Sequence, residues 1–165
     1  MGTGLAFECR DCGYHATVHL GIGFMFPDVY QETVWMIRKE KFGQEWKDLF
    51  EKTPGAAVNA DMELYVCLSC GAANRGLNLS LYEPKDASVA RVQDGSFSAA
   101  FPAIGMEYVM PDLLEEDYRL VEEYVHLCPD CGKPMRLYRE GDLLKCPKCG
   151  KGRMELDPRG HVCWD

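Results

Sequence analysis

Eight of the nine cysteines in this 165-residue chain fall into four copies of one pattern: Cys9-Arg10-Asp11-Cys12-Gly13, Cys67-Leu68-Ser69-Cys70-Gly71, Cys128-Pro129-Asp130-Cys131-Gly132 and Cys146-Pro147-Lys148-Cys149-Gly150. Two residues between cysteines let one tight turn present both sulfurs to a single ion, and a tetrahedral metal takes four thiolates at about 2.3 Å. The glycine after each second cysteine suits a left-handed backbone, which aims amide N–H groups at the sulfurs and stabilises their charge. Four pairs make two complete four-thiolate sites, so the expected metal ligands are Cys9, Cys12, Cys67, Cys70, Cys128, Cys131, Cys146 and Cys149. Disulfides are the bland alternative, and a chain read as intracellular argues against them. A thioredoxin-type redox pair would open a helix after a buried strand, whereas short strands follow these turns.

Spacing suggests which pairs share an ion. Fourteen residues separate Cys131 from Cys146, a comfortable hairpin, so the third and fourth pairs are expected to share one metal. The first and second would then share the other across 54 residues. Loop closure scales as (3/2)RT ln n, so the longer loop costs roughly 1.2 kcal/mol more. Four-thiolate zinc binding, on the order of 10–16 kcal/mol, outweighs that.

The elements that must carry these turns read as an α+β chain with small antiparallel sheets. Between the first two pairs, Asp28 after Pro27, with Gln31 three positions on, predicts a capped helix carrying Val29, Tyr30, Val34, Trp35 and Ile37 until Gly43. A second short helix places Trp46, Leu49 and Phe50 on one face and stops at Thr53-Pro54-Gly55. Strands are predicted at Tyr14–Leu20, Glu63–Cys67 and Leu77–Tyr82. Pro111 and Asp112 start a third helix, with Leu114, Tyr118, Val121 and Val125 on one face. Short strands follow at Met135–Arg139, Leu143–Cys146, Arg153–Leu156 and His161–Trp164.

Composition narrows the function. The chain is 47% hydrophobic and 27% charged, with mean hydropathy −0.25, as in soluble globular proteins. No apolar run approaches the roughly 18–20 residues that cross a bilayer, and Met1-Gly2-Thr3-Gly4 has no signal-like core, so no membrane role and a cytoplasmic location are expected. Net charge is −8, but unevenly spread. Residues 1–124 carry 10 basic and 20 acidic side chains, and residues 125–165 carry 8 and 6. The acidic body repels phosphate backbones, while Lys133, Arg136, Arg139, Lys145, Lys148, Lys151 and Arg153 form a local basic stretch. That stretch reads first as solvation of a small module and an offset to its thiolates.

The run Cys128-Pro-Asp-Cys131-Gly … Cys146-Pro-Lys-Cys149-Gly resembles the zinc ribbon, two knuckles on a small antiparallel sheet. Taken whole, the chain resembles bacterial zinc-ribbon proteins that place a second, helix-interrupted pair of knuckles before the ribbon. The resemblance implies metal ligation at the eight cysteines and supplies no activity. The organisation along the chain predicts a helix-containing four-cysteine knuckle domain over 1–85, a connecting segment over 86–110, and a helix plus ribbon over 111–165. Cys-Pro-x-Cys-Gly is also similar to the iron knuckles of rubredoxins and rubrerythrin tails. Lys133–Lys145 holds a single aromatic, Tyr138, which favours two Zn²⁺ ions, with iron as the alternative at the C-terminal site.

The remaining candidates read more simply. His15, His19, His126 and His161 are surplus once eight thiolates fill two sites, although His126 and His161 each stand two residues before a cysteine. Cys163 reads as a small buried hydrophobe, and Trp35, Trp46 and Trp164 as core aromatics. Catalysis needs an open coordination position, which saturated sites lack. Glu115-Glu116-Asp117 and Glu122-Glu123 read as a solvated helix face, and Gly21-Ile22-Gly23 lacks the rest of a dinucleotide fingerprint. Phe97, Phe101, Ile104, Met106, Tyr108 and Met110 make the 97–110 stretch too apolar for an ordinary linker, so it is expected to be shared core or a contact surface. The expectation is a non-enzymatic protein-interaction module. The alternatives are an iron electron carrier, or a nucleic-acid-binding ribbon using Lys133, Lys145, Lys148, Lys151 and Arg153.

Overall fold

The computed structural model describes residues 2–23, 26–86, 108–109, 111–160 and 162–164. In chain order the elements are β1 (Gly2–Cys9), β2 (His15–Leu20), α1 (Phe26–Arg38), α2 (Gln44–Lys52), β3 (Ala57–Val58), β4 (Met62–Val66), β5 (Ala73–Leu77), β6 (Leu81–Pro84), α3 (Pro111–Glu116), β7 (Tyr118–Glu122), β8 (Arg136–Leu137), β9 (Leu144–Lys145), β10 (Arg153–Leu156) and β11 (Val162–Trp164). The chain is mixed helix and sheet, and every strand pair is antiparallel. It divides into two compact units. One contains Met1–Phe24, Asp61–Leu77 and Val125–Asp165; the other contains Met25–Ala60 and Asn78–Tyr124. These boundaries differ from the sequential division at 85 and 110, because the first unit is assembled from three separated stretches of chain.

The first unit holds two sheets. In the larger, β1 pairs with β2 along nearly its whole length, from Thr3↔Leu20 to Glu8↔His15. Its opposite edge is shared by β11, with Thr3↔Cys163, and β10, with Phe7↔Leu156 and Cys9↔Met154. Beyond β10 lies β9. In the smaller sheet β4 runs between β5 and β8. Alternation along β4 sends its side chains to opposite faces. Leu64 and Val66 pack with Phe7, Leu144, Met154, Cys9 and Cys146. Tyr65, between them, packs with Met135, Cys67 and Cys128. One strand therefore supports two cores, and each core contains cysteines.

The second unit carries the helices. On α1, Tyr30, Thr33, Val34 and Ile37 are buried at helical spacing, and on α2 Trp46 and Phe50 are buried one turn apart. Asp28 sits in the first turn of α1 rather than at its cap. Trp35 is 55% exposed, not a core residue, since its position lies off the buried stripe. The Tyr124 ring meets Trp46 and Phe42 edge-on, at centroid distances of 5.2 and 5.9 Å. A three-stranded sheet, β3-β6-β7, completes the unit around Ala57, Val58 and Leu81.

Two predicted elements are replaced. Leu77–Tyr82 is not one strand. Asn78 Oδ1 accepts the Ser80 N–H at 3.0 Å, and Leu79 takes φ +65° between them, so a side-chain-supported turn breaks the run. The third helix ends at Glu116, and Tyr118–Glu122 is a strand on β6. Lys85 supplies the reason: its Nζ donates to the Glu115 and Glu116 carbonyls, and its N–H donates to the Asp117 carbonyl. These bonds close the helix end, and the β-forming Tyr118, Leu120 and Val121 continue as sheet. Strand β1, Gly2–Cys9, is an addition to the elements that the sequence predicts. Of the apolar 97–110 stretch only Tyr108 and Val109 lie within the described residues.

Candidate metal centres

Each Cys-x-x-Cys-Gly segment forms the same turn. Gly13, Gly71, Gly132 and Gly150 have φ of +65°, +75°, +68° and +68°, as the left-handed reading requires. Each glycine N–H donates to the carbonyl of its first cysteine, at 2.8–2.9 Å. In the first three turns the first cysteine's N–H closes onto the carbonyl five residues on; in the fourth, Cys146 reaches Gly152, one residue further. The turns join strands: β1 to β2, β4 to β5, and β9 to β10, while the third is closed by a bridge between Leu127 and Pro134.

The sulfurs converge in two groups of four, each within 4.8 Å of one another: Cys9, Cys12, Cys146 and Cys149, and Cys67, Cys70, Cys128 and Cys131. The pairing inferred from spacing is thus incorrect. The first turn meets the fourth, and the second meets the third. Antiparallel pairing of β1 with β10 sets Cys9 beside Met154, which brings the fourth turn to the first whatever the intervening chain length. The two groups are nested, an outer one formed by the first and fourth turns and an inner one by the second and third.

Their geometry fits a thiolate-bound ion. A regular tetrahedron with ligands at about 2.3 Å has edges of about 3.8 Å. The cross-turn separations are 3.9 Å for Cys9–Cys149, 3.7 Å for Cys12–Cys146, 3.5 Å for Cys67–Cys131 and 3.6 Å for Cys70–Cys128. A disulfide would need about 2.05 Å, and all nine cysteines are free thiols. Each site could therefore hold a metal ion. The first cysteine of every turn is buried, and the second is nearer solvent.

The thiols are electrostatically unequal. Cys149 is lowered to about 6 by the backbone N–H groups of Lys151 and Gly152, the latter 3.2 Å from its sulfur. Burial pushes Cys67 up, but the N–H groups of Cys70 and Ser69 and the Cys131 thiol bring it down to about 7. Burial raises Cys12 to about 12. At Cys70 the Ala72 N–H pulls down, but burial and the neighbouring thiols prevail and raise it to about 12. Each cluster thus holds one thiol lowered toward neutrality, Cys149 or Cys67, and one raised, Cys12 or Cys70, that must lose its proton to bind a metal.

Gly152 is a site residue that the motif does not reveal. A Cβ there would lie 2.5 Å from Cys9 Sγ and 2.8 Å from Asp11 Oδ2, so only glycine passes between the first turn and the fourth. The one signal in sequence is the repeated Gly150-Lys151-Gly152. The two sites are also tied by backbone, since the Lys145 N–H donates to the Gly71 carbonyl at 2.7 Å.

Other predicted candidates are placed as follows. His15 and His19 are exposed on β2, and the His126 ring lies 3.9 Å from that of Tyr65. His161 lies outside the described residues. Cys163 is exposed on β11 rather than buried, with Thr3 as its cross-strand neighbour. Of the basic stretch, Lys133, Arg139, Lys145, Lys148, Lys151 and Arg153 are exposed. Arg136 instead forms a two-point pair with Asp142, at 2.6 and 2.8 Å. No third group of metal-ligating side chains occurs among the described residues, and none of their helices is long and apolar enough to cross a membrane. Comparison with protein-family models, with curated proteins and with solved structures gives no match to this chain.

Proposed function

We propose that this chain is a zinc-binding protein whose two four-cysteine sites are structural, and that it acts as a non-enzymatic protein-interaction module of zinc-ribbon type. The carrying observation is the closure of both sites by four thiol groups at tetrahedral separations, which supplies a full ligand set and no position for water or substrate. Thiolate softness supports zinc, and the burial of the first cysteines supports a structural role for an ion held there, beside cores of few side chains. Exposed Leu68, Leu127 and Leu143 in the same unit support a contact surface. The solvated basic residues Lys145, Lys148, Lys151 and Arg153 support nucleic-acid binding as the second reading.

Elemental analysis of the purified chain tests the first part: two zinc ions per chain and a colourless solution are expected. A red protein with one iron would replace this reading by an electron carrier. Binding that falls steeply with salt, and is lost when Lys145, Lys148 and Lys151 become Glu, would replace the protein partner by nucleic acid.

A further inference from the structure

The first unit contains a cleft of about 460 Å³, a size typical of small-ligand sites. Its apolar lining combines the half-buried Ala16, Val18 and Ala72 with the core residues Phe7, Leu64, Leu144 and Met154 behind them, and three of the four cysteine turns or their flanks contribute to its walls. Two cations line it as well, Arg75 on β5 and Lys145 on β9. Both are exposed, and no ion pair with a carboxylate engages either one among the described residues. Arg75 makes one long contact, from Nη1 to the His19 carbonyl at 3.4 Å. The Lys145 backbone is fixed by its bond to Gly71.

An apolar chamber with cations that have no carboxylate partner is complementary to a molecule with an apolar body and one anionic end. Apolar contact favours the body, and Arg75 and Lys145 provide charge-assisted donors for the anion. Asp130 also lines the cleft and disfavours a ligand with negative charge along its length, such as a nucleic-acid strand. We infer that this cleft binds an apolar acid, a carboxylate or sulfonate carried on an aromatic or branched aliphatic body. This goes beyond the proposed protein-interaction role and does not depend on it.

The test is titration of the metal-loaded full chain with 1-anilinonaphthalene-8-sulfonate, followed by fluorescence, with neutral N-phenyl-1-naphthylamine in parallel. One saturable site is expected, with the sulfonate preferred. Arg75→Glu/Lys145→Glu, whose side chains are on the surface, should retain two metals and bind the sulfonate about tenfold more weakly. Ala16→Phe, which fills the cleft from β2, should weaken both probes. Absence of saturable binding, equal affinity for the two probes, or an affinity unchanged in both variants would overturn the inference.

Discussion

The nested pairing of the turns can be tested by counting metals. Cys9→Ser/Cys149→Ser removes two ligands from the outer site alone and should leave one metal per chain. Cys67→Ser/Cys131→Ser should do the same for the inner site. Cys9→Ser/Cys67→Ser strips one ligand from each site and should leave almost none after dialysis against a moderate chelator. Pairing of adjacent turns would reverse all three outcomes, so one metal in Cys9→Ser/Cys67→Ser and almost none in either of the other two variants would refute the arrangement.

Nesting also fixes a minimum coupling between the sites. Cys12 and Cys146 are 134 residues apart, and Cys67 and Cys131, 64 apart, lie within that span. Closing the inner site first shortens the outer loop to roughly 70 residues, and (3/2)RT ln n then gives about 0.6 kcal/mol, about threefold in outer-site affinity. Thermodynamic reciprocity requires the same effect on the inner site. Leu64 and Val66 against one core, Tyr65 against the other, and the Lys145–Gly71 bond add to this, so threefold is a lower bound. Competition against a chromophoric chelator measures it: the single metal of Cys67→Ser/Cys131→Ser should be held at least about threefold more weakly than the outer metal of the unaltered chain. An equal affinity would show that the sites close independently.

Further outcomes follow from particular residues. Gly152→Ala drives a Cβ to 2.5 Å from Cys9 Sγ and should lower metal content to about one per chain, whereas Gly132→Ala, with open space but φ +68°, should keep both metals and cost about 1 kcal/mol in chemical denaturation. Metal uptake at pH 8 should release protons, with Cys12 and Cys70 among the donors because both stand near 12 in the metal-free fold; affinity should rise with pH between 7 and 9, and a flat profile would oppose it. Arg136 and the Arg139 N–H hold the Asp142 carboxyl below its ordinary value, so its stabilisation is present above the unfolded-state carboxylate pKa of about 3.9 and is lost as pH falls through the lower folded value. Acid unfolding of Asp142→Asn should lack that component. Leu64→Ala should destabilise the chain by about 2–5 kcal/mol in denaturant melts.

What was legible in the sequence was local. A Cys-x-x-Cys-Gly turn contains its own geometry, so the four paired-cysteine turns and their left-handed glycines could be read from spacing. Trp46, Phe50 and the Arg153–Leu156 strand followed from short-range periodicity in the same way. The partners of the turns were not legible, because loop length separates the possible pairings by only about 1.5 kcal/mol. Sheet pairing decides between them, and it depended on β1, whose alternating Leu5, Phe7 and Cys9 are diluted by Gly2 and Gly4. Similarly, Tyr118–Val121 fits either a helix face or a strand, and only Lys85, bound to the preceding helix's last carbonyls, ends the helix there.

The same nesting alters what net charge says about partners. The first unit carries ten basic and ten acidic side chains, while the second carries eight and sixteen, so the whole charge of −8 belongs to the second. Division at residue 124 made the C-terminal segment look basic against an acidic body. Division by contact returns Glu8, Asp11, Asp61 and Glu63 to the unit that holds the basic stretch, and its side chains balance. Two zinc ions, each held by four thiolates, would then add two negative charges per site. Among the cations of that unit, Arg10, Arg136 and Arg159 already face carboxylates at 2.6–3.2 Å. Lys145 and Arg75 do not, and they line the cleft. Selectivity in this unit therefore rests on the placement of a few cations beside apolar surface, and a short anionic group is better matched to it than a long phosphate backbone.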